Sequence, residues 1–342
     1  MSNRMPCVCA LAGIMLSAAY PAMAQMGPPQ ASPESLAESR QFQQKVNEVI
    51  GLIDKDPRLQ DLTEQQRKDL VEFVTGNMLF ALLHELGHAH IQEMGLPVLG
   101  REEDAADSYA IAALLKMATD VSDGVLVAAT KGWFLDAERN VKENTAVPYY
   151  DAHSVDKVRA YQIVCLMVGS DLEKFTKLAD EVKMPQDRQE SCAGDYSNAA
   201  WSWEMALKPH LRAADHPKQK VSATWGAPGE YAVIADAMKR TGMIDMLVKY
   251  AANRFVWRRP IGFDIKSCGQ PDLHWDLSTQ KILVCYEMAQ DFANLYRGYG
   301  LTYVMKPQEP KAKIQPAITT IPPKATIQPA KATIQPAKAM KN

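Results

Sequence analysis

The chain has 342 residues, of which 47% are hydrophobic, and its 38 Lys and Arg against 40 Asp and Glu leave a formal charge of −2. This is enough material for one large or two ordinary domains with a real core. The near-neutral balance excludes the concentrated basic excess of a nucleic-acid binder, so no nucleic-acid partner is expected.

The N-terminus, MSNRMPCVCALAGIMLSAAYPAMAQ, sets Arg4 before an apolar run from Val8 to Ala19 and then the small-residue pattern Ala22-Met23-Ala24. These three parts predict a signal peptide over 1–24, cleaved after Ala24, and a periplasmic or secreted protein. The apolar run is too short for a membrane anchor, which needs about 20 residues, and it is followed by Pro21. No later stretch is long and apolar enough to span, so no transmembrane segment is expected after cleavage.

Residues 25–33 read as a flexible leader, and 34–305 as the catalytic domain. Ser32 as N-cap, Pro33 at N1 and Glu34 behind it predict a first helix. Thr63 and Gln66 form a capping box for a second. Gly76-Asn77 is then expected to reset the chain into a third, which carries LFALLHELGHAH, residues 79–90. Apolar spacing stays mostly helical to about residue 256, as in Ala160, Ile163, Val164 and Met167. The period then changes: Ile261, Phe263 and Ile265 alternate with polar residues, and DLHWDLSTQKILVCY reads as a hairpin turning near Ser278-Thr279, before a last helix through EMAQDFANLYRGY. The expected fold class is α+β, predominantly α-helical, with a small C-terminal antiparallel β element. Residues 306–342 repeat Lys-Ala-Thr-Ile-Gln-Pro-Ala at 324 and 331, a Pro-spaced, core-poor tail expected to stay extended. Its lysines offer weak contact with anionic envelope polymers, though a solvated spacer is the simpler reading.

Cys7 and Cys9 leave with the signal peptide, and four cysteines remain, Cys165, Cys192, Cys268 and Cys285. An even number in an exported chain predicts two disulfides; of the three pairings we favour the sequence-local one, Cys165 with Cys192 and Cys268 with Cys285.

On a helix of 3.6 residues per turn, His84 and His88 share a face and can meet one zinc ion, while Glu85 lies about 100° around, able to address a water there. This H-E-x-x-H arrangement is that of zinc hydrolysis, with Glu85 as general base. A catalytic zinc needs a third protein ligand. The next helix opens with GREEDAADSYA, where Glu103 and Asp107 lie four apart on one face. Glu103 is the expected third ligand, and Asp107 the acceptor that fixes the tautomer of His84. The competing explanation is that Glu102, Glu103 and Asp104 merely complement the helix dipole. Gly87, which is unfavourable inside a helix, suggests close approach of another backbone or of substrate beside the metal, Gly95 is a natural C-cap, and His90 reads as a bystander.

These residues resemble the gluzincin metallopeptidases, in which a glutamate from a second helix completes the site. More closely, LFALLHELGHAHIQEMGLPVLGREEDAADSYA, HSVDKVRAYQIVCLMVG and CGQPDLHWDLSTQKILVCYEMAQDFANLY resemble DUF4344, a family of exported bacterial proteins regarded as metallopeptidases, over about residues 40–300. The resemblance implies a zincin-like active-site helix, ligands at His84, His88 and Glu103, and Glu85 as base. Only 14 residues, 89–102, separate His88 from Glu103, fewer than in most gluzincins, so Glu102 or Asp104 is an alternative ligand.

An oxyanion needs a donor. His153, Asp156 and Arg159 recur every three residues, and Asp156 is expected to orient His153 toward the tetrahedral intermediate; the alternative is a solvated face with an Asp-Arg pair. Tyr149 and Tyr150 are weaker candidates, and Trp201 and Trp203 read as core. No G-x-S-x-G, G-x-G-x-x-G or P-loop occurs. The expected function is therefore an exported Zn2+ metallopeptidase acting on peptide or protein substrates. The other class is a non-catalytic exported binding or wall-associated protein with a structural or vestigial metal site.

Overall fold

A computed structural model describes residues 27–303 apart from Pro148. The signal peptide expected at 1–24, with Cys7 and Cys9, and the tail expected at 306–342 lie outside the described residues. Of the leader, Gly27–Ser32 carries no regular structure.

Helix α1 (Pro33–Ile53) begins at its expected cap, where Ser32 Oγ accepts from the Ser35 amide at 3.0 Å. The Thr63–Gln66 capping box opens α2 (Glu64–Met94), whose 31 residues make a helix of about 46 Å. Here the expected break at Gly76-Asn77 is corrected, for α2 runs straight through it. Gly76 is the crossing point of α4 (Asp120–Lys142), since a Cβ there would lie 2.6 Å from that of Ala128. Asn77, a poor residue for a helix interior, is satisfied because its amide donates to Phe73 O at 2.8 Å and Ala128 O at 3.1 Å. Both residues are packing features of a helix enclosed on every side. From Gly76 to Ile91 all are buried except the half-buried Ala81, which is why this segment shows no single apolar face.

Around α2 pack α3 (Glu102–Met117) and α4. Behind them lie α5 (Asp156–Ser170), α6 (Leu172–Glu181) and α7 (Gln186–Leu207). A disulfide joins Cys165 of α5 to Cys192 of α7. Trp201 and Trp203 stand about 200° apart on α7, so they cannot share a face. Trp203 packs on Tyr109, whereas Trp201 is 51% exposed, correcting its reading as core.

The C-terminal part holds β1 (Val221–Trp225), α8 (Ala232–Thr241), α9 (Met243–Arg254), β2 (Ile261–Lys266), β3 (Leu273–Asp276), β4 (Lys281–Cys285) and α10 (Tyr286–Leu295). The expected antiparallel hairpin is β3–β4, turning through residues 277–280. The sheet is larger than the hairpin: its order is β1-β2-β4-β3, with β1 and β4 both parallel to β2. Strand β1 falls in a stretch read as mostly helical. Five residues of alternation are a weak signal, and its partner lies 40 positions on. A second disulfide joins Cys268 to Cys285. The edge strand β3 packs against α2.

His90, on α2, is fully buried, stacked on Trp257 with ring centroids 4.7 Å apart and edge-on to Phe255. Burial in this apolar cage pushes its pKa down to about 3, with the charge of His210 adding to the effect. The unfolded chain takes up a proton below its ordinary pKa of 6.5 that the folded protein refuses. Stability is therefore full above pH 6.5 and falls by up to about 1.4 kcal/mol per unit toward pH 3. Unfolding free energies from urea titrations at pH 7 and pH 5 are expected to show wild type losing stability relative to His90→Phe by this slope, the comparison cancelling the histidines of the metal centre.

Candidate metal centre

The centre is built by one helix and the start of the next. Gly95, in the left-handed region at φ 66°, caps α2, and the link to Arg101 turns the chain back. Gly87 then lets α3 come close, since a Cβ there would stand 3.0 Å from Ala106 Cα. That approach lays the first turns of α3 over the two histidines.

His84 Nε2 and His88 Nε2 lie 3.1 Å apart, and Glu103 Oε2 is 3.1 Å from the first and 3.3 Å from the second. Each imidazole is fixed from behind: His84 Nδ1 donates to Asp107 Oδ1 and His88 Nδ1 to Glu102 Oε1, both at 2.8 Å. With both Nδ1 atoms carrying the protons, both Nε2 atoms present lone pairs. Two such nitrogens and a carboxylate oxygen then point at one spot, an arrangement that repels unless a cation sits among them. A tetrahedral ion with bonds of about 2.0 Å has ligand–ligand edges of about 3.3 Å, so these residues fit a metal. Among Glu102, Glu103 and Asp104, it is Glu103 that faces both rings. Glu102 stands behind His88, and Asp104 accepts from Ser154 Oγ at 2.8 Å.

Burial works against the charge of His88, but Glu103 and Glu102 outweigh it and raise its pKa to about 9. His84 is likewise raised, burial being outweighed by hydrogen bonds to Asp107 and Glu103. Burial alone would raise Glu103, but hydrogen bonds from His153, His84 and His88 hold it far below the usual carboxylate range. Burial pushes Glu85 up, only partly offset by the charges of His84 and His88 and by an amide bond.

Glu85 stands farther from the two rings than Glu103, although its carboxylate lies within 4.8 Å of the ligand atoms of both histidines. Its Oε1 lies 4.0 Å from His84 Nε2, on the side of the cluster, while its Oε2 accepts the Trp275 backbone amide at 2.7 Å. His153 does reach the site: its Nε2 is 2.9 Å from Glu103 Oε2. His84 and His88 are buried and His153 is half exposed, so the cluster opens to solvent on the His153 side.

The expected partner of His153 is corrected. Asp156 begins α5 and its Oδ2 accepts from Asn140 at 2.9 Å. His153 precedes that helix and is held instead by Asp151, whose Oδ1 accepts from the His153 backbone amide at 2.8 Å and lies 3.1 Å from Nδ1. Arg159 is not on a solvated face but buried, making two bonds to Asp107 at 2.6 and 2.7 Å. Tyr149 and Tyr150 are largely exposed on the loop before His153.

Four residues of this arrangement carried no role in the sequence reading: Asp151, Gln92, Trp275 and, as the partner of Asp107, Arg159. Trp275 Nε1 donates to Gln92 Oε1 at 3.1 Å, and Gln92 Nε2 donates to Glu102 Oε1 at 2.9 Å. The signal for Asp151 was present, because an aspartate two residues before an amide favours a local turn of this kind. For Trp275, 190 residues from Glu85, there was none.

Residues 44–207 match the family DUF4344, described as "Putative metallopeptidase". That span contains His84, Glu85, His88, Glu103, Asp107 and His153, whereas the third block of the sequence resemblance, with Trp275, lies beyond it. No curated protein and no solved structure matches the chain. The stretch from 44 to 207, which carries both helices of the metal centre, is thus similar to the DUF4344 family.

Proposed function

We propose that this protein is an exported zinc metallopeptidase that hydrolyses peptide bonds in peptide or protein substrates. The observation that carries the reading is the meeting of two lone-pair imidazole nitrogens and the Glu103 oxygen, with a separate carboxylate, Glu85, at their side. Two histidines and a glutamate are a zinc set that leaves a position open, as catalytic rather than structural sites do. When bound there, zinc supplies Lewis-acid polarisation of the scissile carbonyl and makes a water acidic enough to react at neutral pH.

Glu85 accepts the proton of the attacking water and hands it to the leaving amine; a carboxyl raised by burial suits both transfers. His153, at the open mouth of the site, donates from Nε2 to the oxyanion as the carbonyl becomes tetrahedral. Asp107 and Glu102 keep His84 and His88 in the tautomer that ligates. Export is supported by the N-terminal sequence and by two disulfides. Among the described residues no helix is long and apolar enough to cross a membrane.

The test is metal analysis of the purified mature protein together with a broad peptide-cleavage screen. About one zinc per chain is expected, with cleavage lost on chelation and restored by zinc. Zinc held firmly with no peptide cut would favour a structural site, and a protein that takes up no metal overturns the proposal.

A further inference from the structure

The oxygen of Glu85 turned away from the metal ligands is held by the edge of a sheet that comes from a distant part of the chain. Strand β3 offers its Trp275 amide to Glu85 Oε2, while its Trp275 indole holds Gln92, which in turn holds the Glu102 behind His88. One residue thus touches the base directly and a ligand through two intermediates. With only four residues, β3 is too short to hold its own position. Its N-terminal approach is fixed twice over. Cys268, five residues before the first residue of β3 (269–272 between them), is bonded to Cys285, the last residue of β4 and N-cap of α10. The buried Glu287 of α10 accepts from the Cys268 and Gly269 amides at 2.9 and 2.8 Å and from Ser267 Oγ at 2.6 Å. Asp272 O accepts from the Cys285 amide at 3.0 Å.

We propose that Trp275 is the positioning residue of Glu85, and that the Cys268–Cys285 disulfide is the clamp that keeps it there. The inference rests on the peptidase reading for its effect on turnover, but its structural half stands apart from that reading. Opening the bridge leaves the β2–β3 connection held by the hydrogen bonds of Glu287 and Asp272 alone, loosens the Trp275 amide, and so weakens the hold on Glu85 at its far side. The ligands His84, His88 and Glu103 come from α2 and α3 and keep the metal.

The test uses the full mature chain carrying Cys268→Ser and Cys285→Ser together. Hydrogen–deuterium exchange at the Trp275 amide, read by NMR with and without zinc, is expected to be at least tenfold faster than in wild type, as when a bond to a charged group is lost. Glu85→Ala is expected to speed the same amide. Zinc content stays at the wild-type value, and kcat falls on the order of 100-fold with KM within about twofold, as a displaced catalytic group requires. Should the double variant not fold, the wild-type chain treated with a small dithiol carries the test. The dithiol gives up two electrons and two protons, its own sulfurs join, and the Cys268–Cys285 bond becomes two thiols. Cys268 is partly exposed, whereas Cys165 and Cys192 are both buried, which directs the reaction. A Trp275 amide that exchanges at the wild-type rate after the bridge is opened overturns the proposal, and so does faster exchange with kcat unchanged. If no form of the protein cuts any peptide, the peptidase reading fails while the exchange rates still decide the clamp.

Discussion

Glu85→Gln is expected to leave the protein folded and loaded with about one zinc while lowering kcat/KM by 10²- to 10⁴-fold, the range associated with a general acid–base group. Glutamine has the same shape and keeps a carbonyl oxygen able to accept the Trp275 amide, so the contact that now reads 2.7 Å persists. What it loses is the capacity to take a proton. The three atoms that face one another belong to His84, His88 and Glu103, so metal content should not follow activity. Zinc analysis beside turnover of a cleaved peptide checks this. A Glu85→Gln protein that cuts at the wild-type rate would remove Glu85 from the chemistry, and one that loses its zinc would make it a ligand.

Arg159→Met should be the most damaging change to the layer behind the metal. The Arg159 guanidinium is buried, stacks 3.7 Å from the centroid of the Trp133 ring, and grips both oxygens of Asp107. Burial would raise Asp107, but hydrogen bonds with His84 and Arg159 hold its carboxyl below the usual value. Methionine fills the volume and leaves that buried charge without its cation, a change that costs about 3–5 kcal/mol. A destabilised carboxylate takes a proton more readily and then no longer orients His84. Loss of such an outer partner typically weakens metal binding by about 10- to 100-fold. Thermal unfolding of the chelated protein reads the first effect, and competition with a zinc indicator reads the second. Arg159→Lys should recover only part of both, since an ammonium cannot make the paired contact. Unchanged unfolding and unchanged zinc affinity would show that Asp107 does not depend on this cation.

The parts of the centre that could be read from the sequence are those set by one turn of helix. His84 and His88 face together because they are four apart, and Glu103 and Asp107 do so for the same reason. Gly87 was read correctly as a point of close approach, whereas Gly76, which is one too, was read as a break where a helix crosses. The reading of His153 with Asp156 assumed a helix through both, but α5 starts at Asp156, and outside a helix a spacing of three has no common face. The fully buried middle of α2 was ambiguous for a similar reason: a helix covered on all sides has no polar stripe to mark it as one piece.

By itself the sequence pointed to the helix caps, the paired histidines with an acidic turn close by, the favoured disulfide pairings and the presence of a hairpin, because each depends on residues close along the chain or on a small choice of partners. Only the tertiary structure decided that Arg159 backs Asp107, that β1 joins the sheet, and that the amide of Trp275 holds Glu85. Those contacts bridge 52, 40 and 190 positions, over which no periodicity or turn preference acts, and they exist because packing of the whole core brings the segments together.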